Sequence, residues 1–195
     1  TCIRHEVKPT SESLAMALPT VGLHDRIQLD LVFGLPSTTS GYIGVIVITN
    51  STTKYPWAMP IRSKTKQEIK KKFWHYISIF GPPKEILTDQ GKEFVNAEFS
   101  DLSDVCGIEH RVTSPYHPRT NGLTERLNST LIKCIRKHAE NNPSNWNDWL
   151  PYVLLAYRTR IHSSTGFTPF ELTFGRRMNH FDDYKSESNR GSEKR

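Results

Sequence analysis

Asp30, Asp89 and Glu125 are acids whose surroundings ask for a reason. Asp30 interrupts an alternating apolar stretch, Ile27, Leu29, Leu31 and Phe33, and aspartate is disfavoured inside strands. A solvated face or a nearby base would account for it, and so would a carboxylate held on a rigid element to bind a metal. Asp89 closes a short apolar run in Thr88-Asp89-Gln90-Gly91. Gly91 suits a plain turn there, yet the carboxyl end of a strand in an open α/β sheet is where ligands bind. Glu125 falls on an expected helix whose core stripe is Leu123, Leu127, Leu131 and Cys134. Two residues from Leu123 and from Leu127 is about 200° round a helix, so Glu125 faces away from the stripe, with Asn121, Asn128 and Ser129 on its side. Alone it reads as an ordinary solvated glutamate. Together, three carboxylates on regular elements suit hard, oxygen-ligated cations. Two Mg²⁺ ions about 3.5–4 Å apart activate an attacking oxygen and stabilise a leaving one in phosphoryl transfer. The same ions turn the acids' repulsion of a phosphate into attraction.

The elements that must position these acids are legible from periodicity. Alternation predicts a strand over 27–33, ended by Gly34 and Pro36. The Val/Ile-rich run 42–49 predicts a strand buried on both faces, and 54–61 a third strand, the three forming an antiparallel meander. Helical spacing of Ile69, Phe73, Tyr76, Ile77 and Phe80 predicts a helix over 63–80, stopped by Gly81-Pro82-Pro83. A strand over 84–88, a helix over 97–106 and a strand over 108–113 follow. After a polar loop, 114–120, expected to be mobile, a helix over about 121–140 halts before Pro143. The last helix is expected to start with Ser144 as N-cap and to carry Trp146, Trp149, Leu150, Val153, Leu154 and Tyr157 on one stripe. The order βββ-α-β-α-β-α-α implies an α/β fold, a five-stranded mixed sheet covered by helices on both faces.

Composition narrows the partners. The 195 residues leave room for one domain, expected over 24–178, with a linker over 1–23 and a disordered Ser/Lys/Glu-rich tail over 179–195. Lys+Arg is 26 against 20 for Asp+Glu, a net charge of +6 with a pI near 9.3. Residues 182–195 are neutral, so the excess lies on the folded part and favours a polyanionic partner. No run approaches the ~20 apolar residues of a membrane helix, and no signal peptide is visible. Cys2, Cys106 and Cys134 are too few for a disulfide framework, and the latter two fall on apolar helix positions. The chain opens on Thr1, which suggests a piece of something longer.

The spacing then meets a known pattern. Between Asp30 and Asp89 lie 58 residues, and between Asp89 and Glu125 lie 35. Around them stand Ile86-Leu87-Thr88-Asp89-Gln90-Gly91-Lys92-Glu93-Phe94, then Ser114-Pro115-Tyr116-His117-Pro118-Arg119-Thr120-Asn121-Gly122-Leu123-Thr124-Glu125-Arg126, then His162-Ser163-Ser164-Thr165-Gly166-Phe167-Thr168-Pro169-Phe170-Glu171. These blocks, in this order across about 24–178, resemble the catalytic core of LTR-retrotransposon integrases of the Ty3/Gypsy type, in the retroviral integrase superfamily. The resemblance implies a ribonuclease-H-like fold. It implies that Asp30, Asp89 and Glu125 are the catalytic, metal-binding residues of a D,D-35-E enzyme using Mg²⁺ or Mn²⁺, two per site. It also implies DNA integration as the activity: removal of nucleotides from a 3′ end by water, then attack of that 3′-OH on target DNA. Thr49-Asn50 stands where the family often has Asp-Arg, at a position that is not catalytic. The non-enzymatic alternative is a domesticated, catalytically silent relic that binds DNA or protein. A ribonuclease-H-type nuclease would share the metals without the motifs.

Candidate DNA contacts are Asn121, Ser129, Arg126, Lys133, Lys137, His117 and Lys92. His117 reads equally as a structural loop histidine. The cluster Arg111, Arg119, Arg126, Lys133, Arg136 and Lys137 flanks the expected site and favours phosphate contact. Arg62, Lys64, Lys66, Lys70, Lys71 and Lys72 read first as a solvated helix face. Thr1-Cys2 resembles the last ligand of an upstream zinc module, or is a stray thiol; no zinc is expected, because Cys2 and His5 cannot make a four-ligand site. The aromatic stripe of the last helix and part of 63–80 are expected to form a homodimer or higher-oligomer interface. The resemblance puts the place of action in the nucleus, reached through a cytoplasmic virus-like particle.

Overall fold

The computed structural model describes residues 22–113, 118–140 and 142–179. The expected linker before residue 22, the loop 114–117 and the tail from 180 lie outside the described residues. Strands β1 (Arg26–Val32), β2 (Gly44–Asn50), β3 (Pro56–Ile61), β4 (Glu85–Thr88) and β5 (Glu109–Val112) form one sheet in the order β3-β2-β1-β4-β5. β1, β2 and β3 are antiparallel, whereas β4 runs parallel to both β1 and β5, so the expected mixed sheet is present. β2 is buried along its whole length, as its Val/Ile run requires.

Helices cover both faces. α1 (Lys66–Phe80) and α2 (Ala97–Cys106) press Ile69, Phe73, Phe99 and Leu102 onto Ile27, Leu29, Ile46 and Ile48. α3 (Pro118–His138) and α4 (Trp146–Thr159) press Leu127, Leu131, Ile135, Trp146 and Leu150 onto Val32, Val45, Val47 and Ala58. Cys106 and Cys134 are half-buried and pack against these cores. Strand alternation therefore sorts β1: Ile27 and Leu29 face α1 and α2, while Val32, and with it Asp30, faces α3.

The helix ends have local causes. α1 starts at Thr65, whose hydroxyl accepts from the Glu68 amide, and stops at Gly81 with φ 78°. The Asn96 side chain caps α2 by accepting from the Phe99 amide, and Gly107 ends the helix in the left-handed region. α5 (Pro169–Phe174), not foreseen above, is closed by a capping box: Thr168 accepts from the Glu171 amide while the Glu171 carboxylate accepts from the Thr168 amide.

Four expectations shift. α3 begins at Pro118, three residues before Asn121, because proline at the first helical position lacks only an N–H that would be orphaned anyway. Ser144 is not the N-cap of α4: it lies in a 3-10 turn, Pro143–Asn145, and its hydroxyl turns back to Asn142. Asn145, at the cap position, accepts from the Thr39 hydroxyl instead of capping. The third strand begins at Pro56, since Lys54 sits in the β2–β3 turn at φ 61°. The aromatic stripe is divided: Trp146 is fully buried and Tyr157 half-buried, while Trp149 is 38% exposed. Trp149 stacks on His138.

β3 is an edge strand with an unusual outer side. Tyr55 and Ile61 give their carbonyls to Asn50 and Ile43, so the alternate residues Pro56, Ala58 and Pro60 turn their backbone outward. Two of those three have no N–H, and the Pro56 carbonyl accepts from Arg158 of α4. α1 and α4, on opposite faces of the sheet, both reach this edge.

Candidate active site and cation-lined cavity

β1 and β4 run parallel with Gln28 opposite Leu87. Two residues further along come Asp30, still within β1, and Asp89, one residue past the end of β4; strand alternation, carried that one residue beyond β4, assigns both to the face of Gln28 and Leu87. Asp30 is half-buried; its Oδ1 accepts from the Leu31 amide at 2.8 Å. Its Oδ2 accepts from Asn128 Nδ2 at 2.6 Å. Asn128 is on α3, one turn after Glu125, so the helix bearing Glu125 is tied to Asp30 by a hydrogen bond. Asp89 is exposed, and its Oδ1 accepts from the Gly91 amide at 3.0 Å, the turn that the Asp-Gln-Gly sequence suggested.

The Asp89 backbone is held from below. Thr88 Oγ1 shares a hydrogen bond with His110 Nε2 at 2.8 Å, and the Thr88 carbonyl accepts from the Thr113 amide and hydroxyl. Burial lowers the His110 pKa and keeps the ring neutral. At the other end of the same strand pair, Arg26 and Glu85 make a buried ion pair at 2.8 Å, with Arg111 at 3.4 Å from the second Glu85 oxygen. The parallel pair that presents the two aspartates is thus clamped at its start.

Among the described residues, no three His, Cys, Asp or Glu side chains converge on a metal site, and the Glu125 side chain is not among those described. The donor set nevertheless fits a hard divalent cation: one carboxylate on β1 and one just past the end of the adjacent β4, with no base paired to Asp89 among the described residues.

The candidate DNA contacts separate into groups. Arg126, Ser129, Lys133 and Lys137 are exposed on α3, and Arg126, Lys133 and Lys137 share one flank by helical spacing. Lys92 is exposed in the loop before α2. Asn121 lies in α3 with its side chain outside those described, and His117 lies outside the described residues. The N-terminal part of the Lys-rich segment is used structurally. Arg62 sits over the Tyr42 ring, Lys64 over Phe33, and Lys66 pairs with Glu98 at 2.7 Å. Asn50 caps the β2–β3 turn by accepting from the Thr52 and Thr53 amides, both at 2.9 Å.

Arg126 and Tyr157 meet residues to which sequence reasoning assigns no role, Lys54, His162, Ser163 and Ser164, around a cavity of about 420 Å³ beside α3. Lys54 falls at the start of the strand expected over 54–61, and His162 to Ser164 belong to a motif whose spacing assigns them no task. Asn128 was seen to share the Glu125 side, but nothing in the sequence indicated its bond to Asp30.

Comparison with known proteins agrees with this layout. The profile of the family described as "Integrase core domain" matches residues 23–118. The Pol polyprotein of transposon 412 from Drosophila melanogaster is 31% identical over 180 residues, covering 84% of this chain and 15% of that protein. The Pro-Pol polyprotein of simian foamy virus type 3 is 32% identical over 151 residues, covering 77% of this chain and 13% of that protein. The chain thus spans under a fifth of the length of these relatives. Among solved structures, a simian T-cell lymphotropic virus intasome in complex with the PP2A regulatory subunit B56 gamma aligns with TM-score 0.68 at 22% identity. The alignment covers 80% of this chain and 56% of that one. The HTLV-2 integrase catalytic core domain in complex with magnesium, in a trimeric form, aligns with TM-score 0.63 at 20% identity, covering 77% of this chain and 96% of that one. The sheet order and flanking helices are those of the ribonuclease-H-like integrase core.

Proposed function

Because the chain belongs to the integrase core domain family, we propose that it carries the catalytic core of a DNA-integrating enzyme that joins retroelement ends to target DNA. Asp30, Asp89 and Glu125 are its catalytic, metal-binding residues. The observation that carries this reading is Asp30 on β1 beside the parallel strand β4 that leads into Asp89, with Asp30 bonded to Asn128 of the helix that bears Glu125.

Mg²⁺ or Mn²⁺, two per site, would be held by the three carboxylates and would supply Lewis-acid activation of the attacking oxygen and neutralisation of the leaving one. The protein's own groups do the positioning. Asn128 and the Leu31 amide fix both oxygens of Asp30. The Gly91 amide fixes one oxygen of Asp89 and leaves the other without a protein donor among the described residues. Arg126, Ser129, Lys133, Lys137 and Lys92 bind backbone phosphates and set the register of the DNA, with Asn121 and His117 near the reacting end. In each step an oxygen, of water and then of a 3′-OH, forms a bond to phosphorus as the P–O3′ bond breaks, with no covalent protein intermediate.

The HTLV-2 integrase catalytic core domain occurs in a trimeric and a dimeric form. For this chain a homodimer that uses α1 and α4 would wrap round the β3 edge, where both helices meet. The nucleus, entered from a virus-like particle, is the place of action consistent with this chemistry.

A strand-transfer assay on a branched DNA substrate with Mg²⁺ or Mn²⁺ tests the proposal. Joined product that disappears in Asp89→Asn and with EDTA supports it. A folded chain that binds DNA without joining it supports the silent relic instead.

A further inference from the structure

The cavity beside α3 is built as an anion site. Arg126 is about 160° round the helix from Asn128, so the cavity opens on the flank of α3 opposite the bond to Asp30. Four elements supply its wall: α3, the β2–β3 turn, the end of α4 through Tyr157, and the segment 162–164. Lys54, Arg126 and His162 bring cationic or N–H donor groups, and among the described residues no Asp or Glu lines it. Among the described residues, no carboxylate pairs with Lys54 or His162.

The donors are oriented. His162 Nδ1 lies 3.3 Å from the Ser164 amide and 3.0 Å from its hydroxyl. A backbone N–H can only donate, so Nδ1 accepts and the ring proton resides on Nε2. The Lys54 ammonium donates to the Ser51 carbonyl, which holds the side chain half-buried in the wall. Burial, then the charges of Lys54 and Arg126, lower the His162 pKa.

We propose that this cavity binds a phosphoryl group, presented by the backbone of DNA engaged at the carboxylate site. The assignment to DNA rests on the function proposed above; the anion chemistry does not. The cavity is about one helix diameter, ~10 Å, across α3 from Asp30. At about 3.4 Å of axial rise per nucleotide, that corresponds to a phosphate about three nucleotides from the reacting bond. A contact there would fix the strand's register without reading its sequence.

The test uses the whole chain and two probes. The first is a fluorescein-labelled DNA duplex followed by anisotropy over a range of salt. Lys54→Met combined with His162→Gln is expected to weaken binding five- to twentyfold and to reduce the slope of log K against log [salt] by about 1. Lys54→Arg, which keeps the charge, is expected to bind as the parent does, separating charge from folding. The second probe is inorganic phosphate, read by NMR of the histidine rings: the His162 titration midpoint should move up with phosphate, and should not in Lys54→Met. Movement of His162 by phosphate, with unchanged DNA affinity and slope in the double variant, overturns the DNA assignment in favour of free phosphate. No effect in either experiment overturns the site. A parent chain that binds no DNA while phosphate still moves His162 refutes the proposed function and leaves the anion site standing.

Discussion

The bond between Asn128 and Asp30 couples helix α3 to the sheet at the candidate active site, and its strength can be measured. A hydrogen bond to a charged group contributes about 1.5–3 kcal/mol. Asn128 Oδ1 is buried without a partner among the described residues. Asn128→Ala therefore removes one favourable bond and one unfavourable orphaned acceptor together, and the net loss should be only about 1 kcal/mol. In a domain of this size that lowers Tm by about 2–4 °C. The coupling is larger than the single effect suggests. Asp30→Ala leaves the Asn128 amide unpaired, so a double-mutant cycle on Asp30→Ala and Asn128→Ala should return about 1–2 kcal/mol of interaction energy. The assay is urea denaturation in EDTA, followed by fluorescence of the buried Trp57 and Trp146. Additivity within about 0.3 kcal/mol would refute the coupling, and with it the argument that this bond holds the Glu125-bearing helix against β1.

Other expectations are simpler. Glu85→Ala removes the carboxylate paired with the buried Arg26 and should cost about 3–5 kcal/mol by urea denaturation, whereas Arg26→Met with Glu85→Leu should recover most of the loss. Burial lowers the pKa of His24 and His110 below the ordinary histidine value of 6.5. The unfolded chain then takes up protons first as the pH falls, so their contribution to stability is present above 6.5 and is lost below it. His110→Gln should make the loss between pH 7 and 5 shallower in thermal melts. Thr168→Ala breaks the capping box of α5 and should cost about 1 kcal/mol, read from the same melts. If the outer faces of α1 and α4 pair two copies, Trp149→Glu should shift sedimentation at micromolar concentration from dimer to monomer.

The sequence carried the architecture because the decisive signals were local. Ala97 to Cys106 reads as a helix in both sequence and structure, since Asn96 caps it and Gly107 ends it in a conformation that glycine adopts without strain. The meander and the parallel β4 and β5 followed from alternation and order. The capping box Thr168-Pro169-Phe170-Glu171 was equally readable but was absorbed into a longer motif. The boundary errors lie where a side chain had a competing partner: Asn145 turned to Thr39, and Ser144 to Asn142. At the site, spacing nominated Asp30 and Asp89, and their face of the sheet follows from alternation. The Asn128 bond, the His110 support and the meeting of Lys54 with His162 join residues far apart in the chain, which periodicity does not reach.

The prolines of β3 bear on how copies of this molecule can meet. A sheet with a bare edge invites another chain to continue it, and the result is open-ended growth. Here the outward backbone of β3 offers one N–H, from Ala58, between two prolines, and one of its carbonyls is already taken by Arg158. Under the function proposed above, several copies on one DNA have to crowd together without their sheets fusing. With strand addition closed off at this edge, association there must run through side chains alone, which can be reversible, finite in number and specific in geometry. The margin of the sheet thereby separates ordered assembly from aggregation.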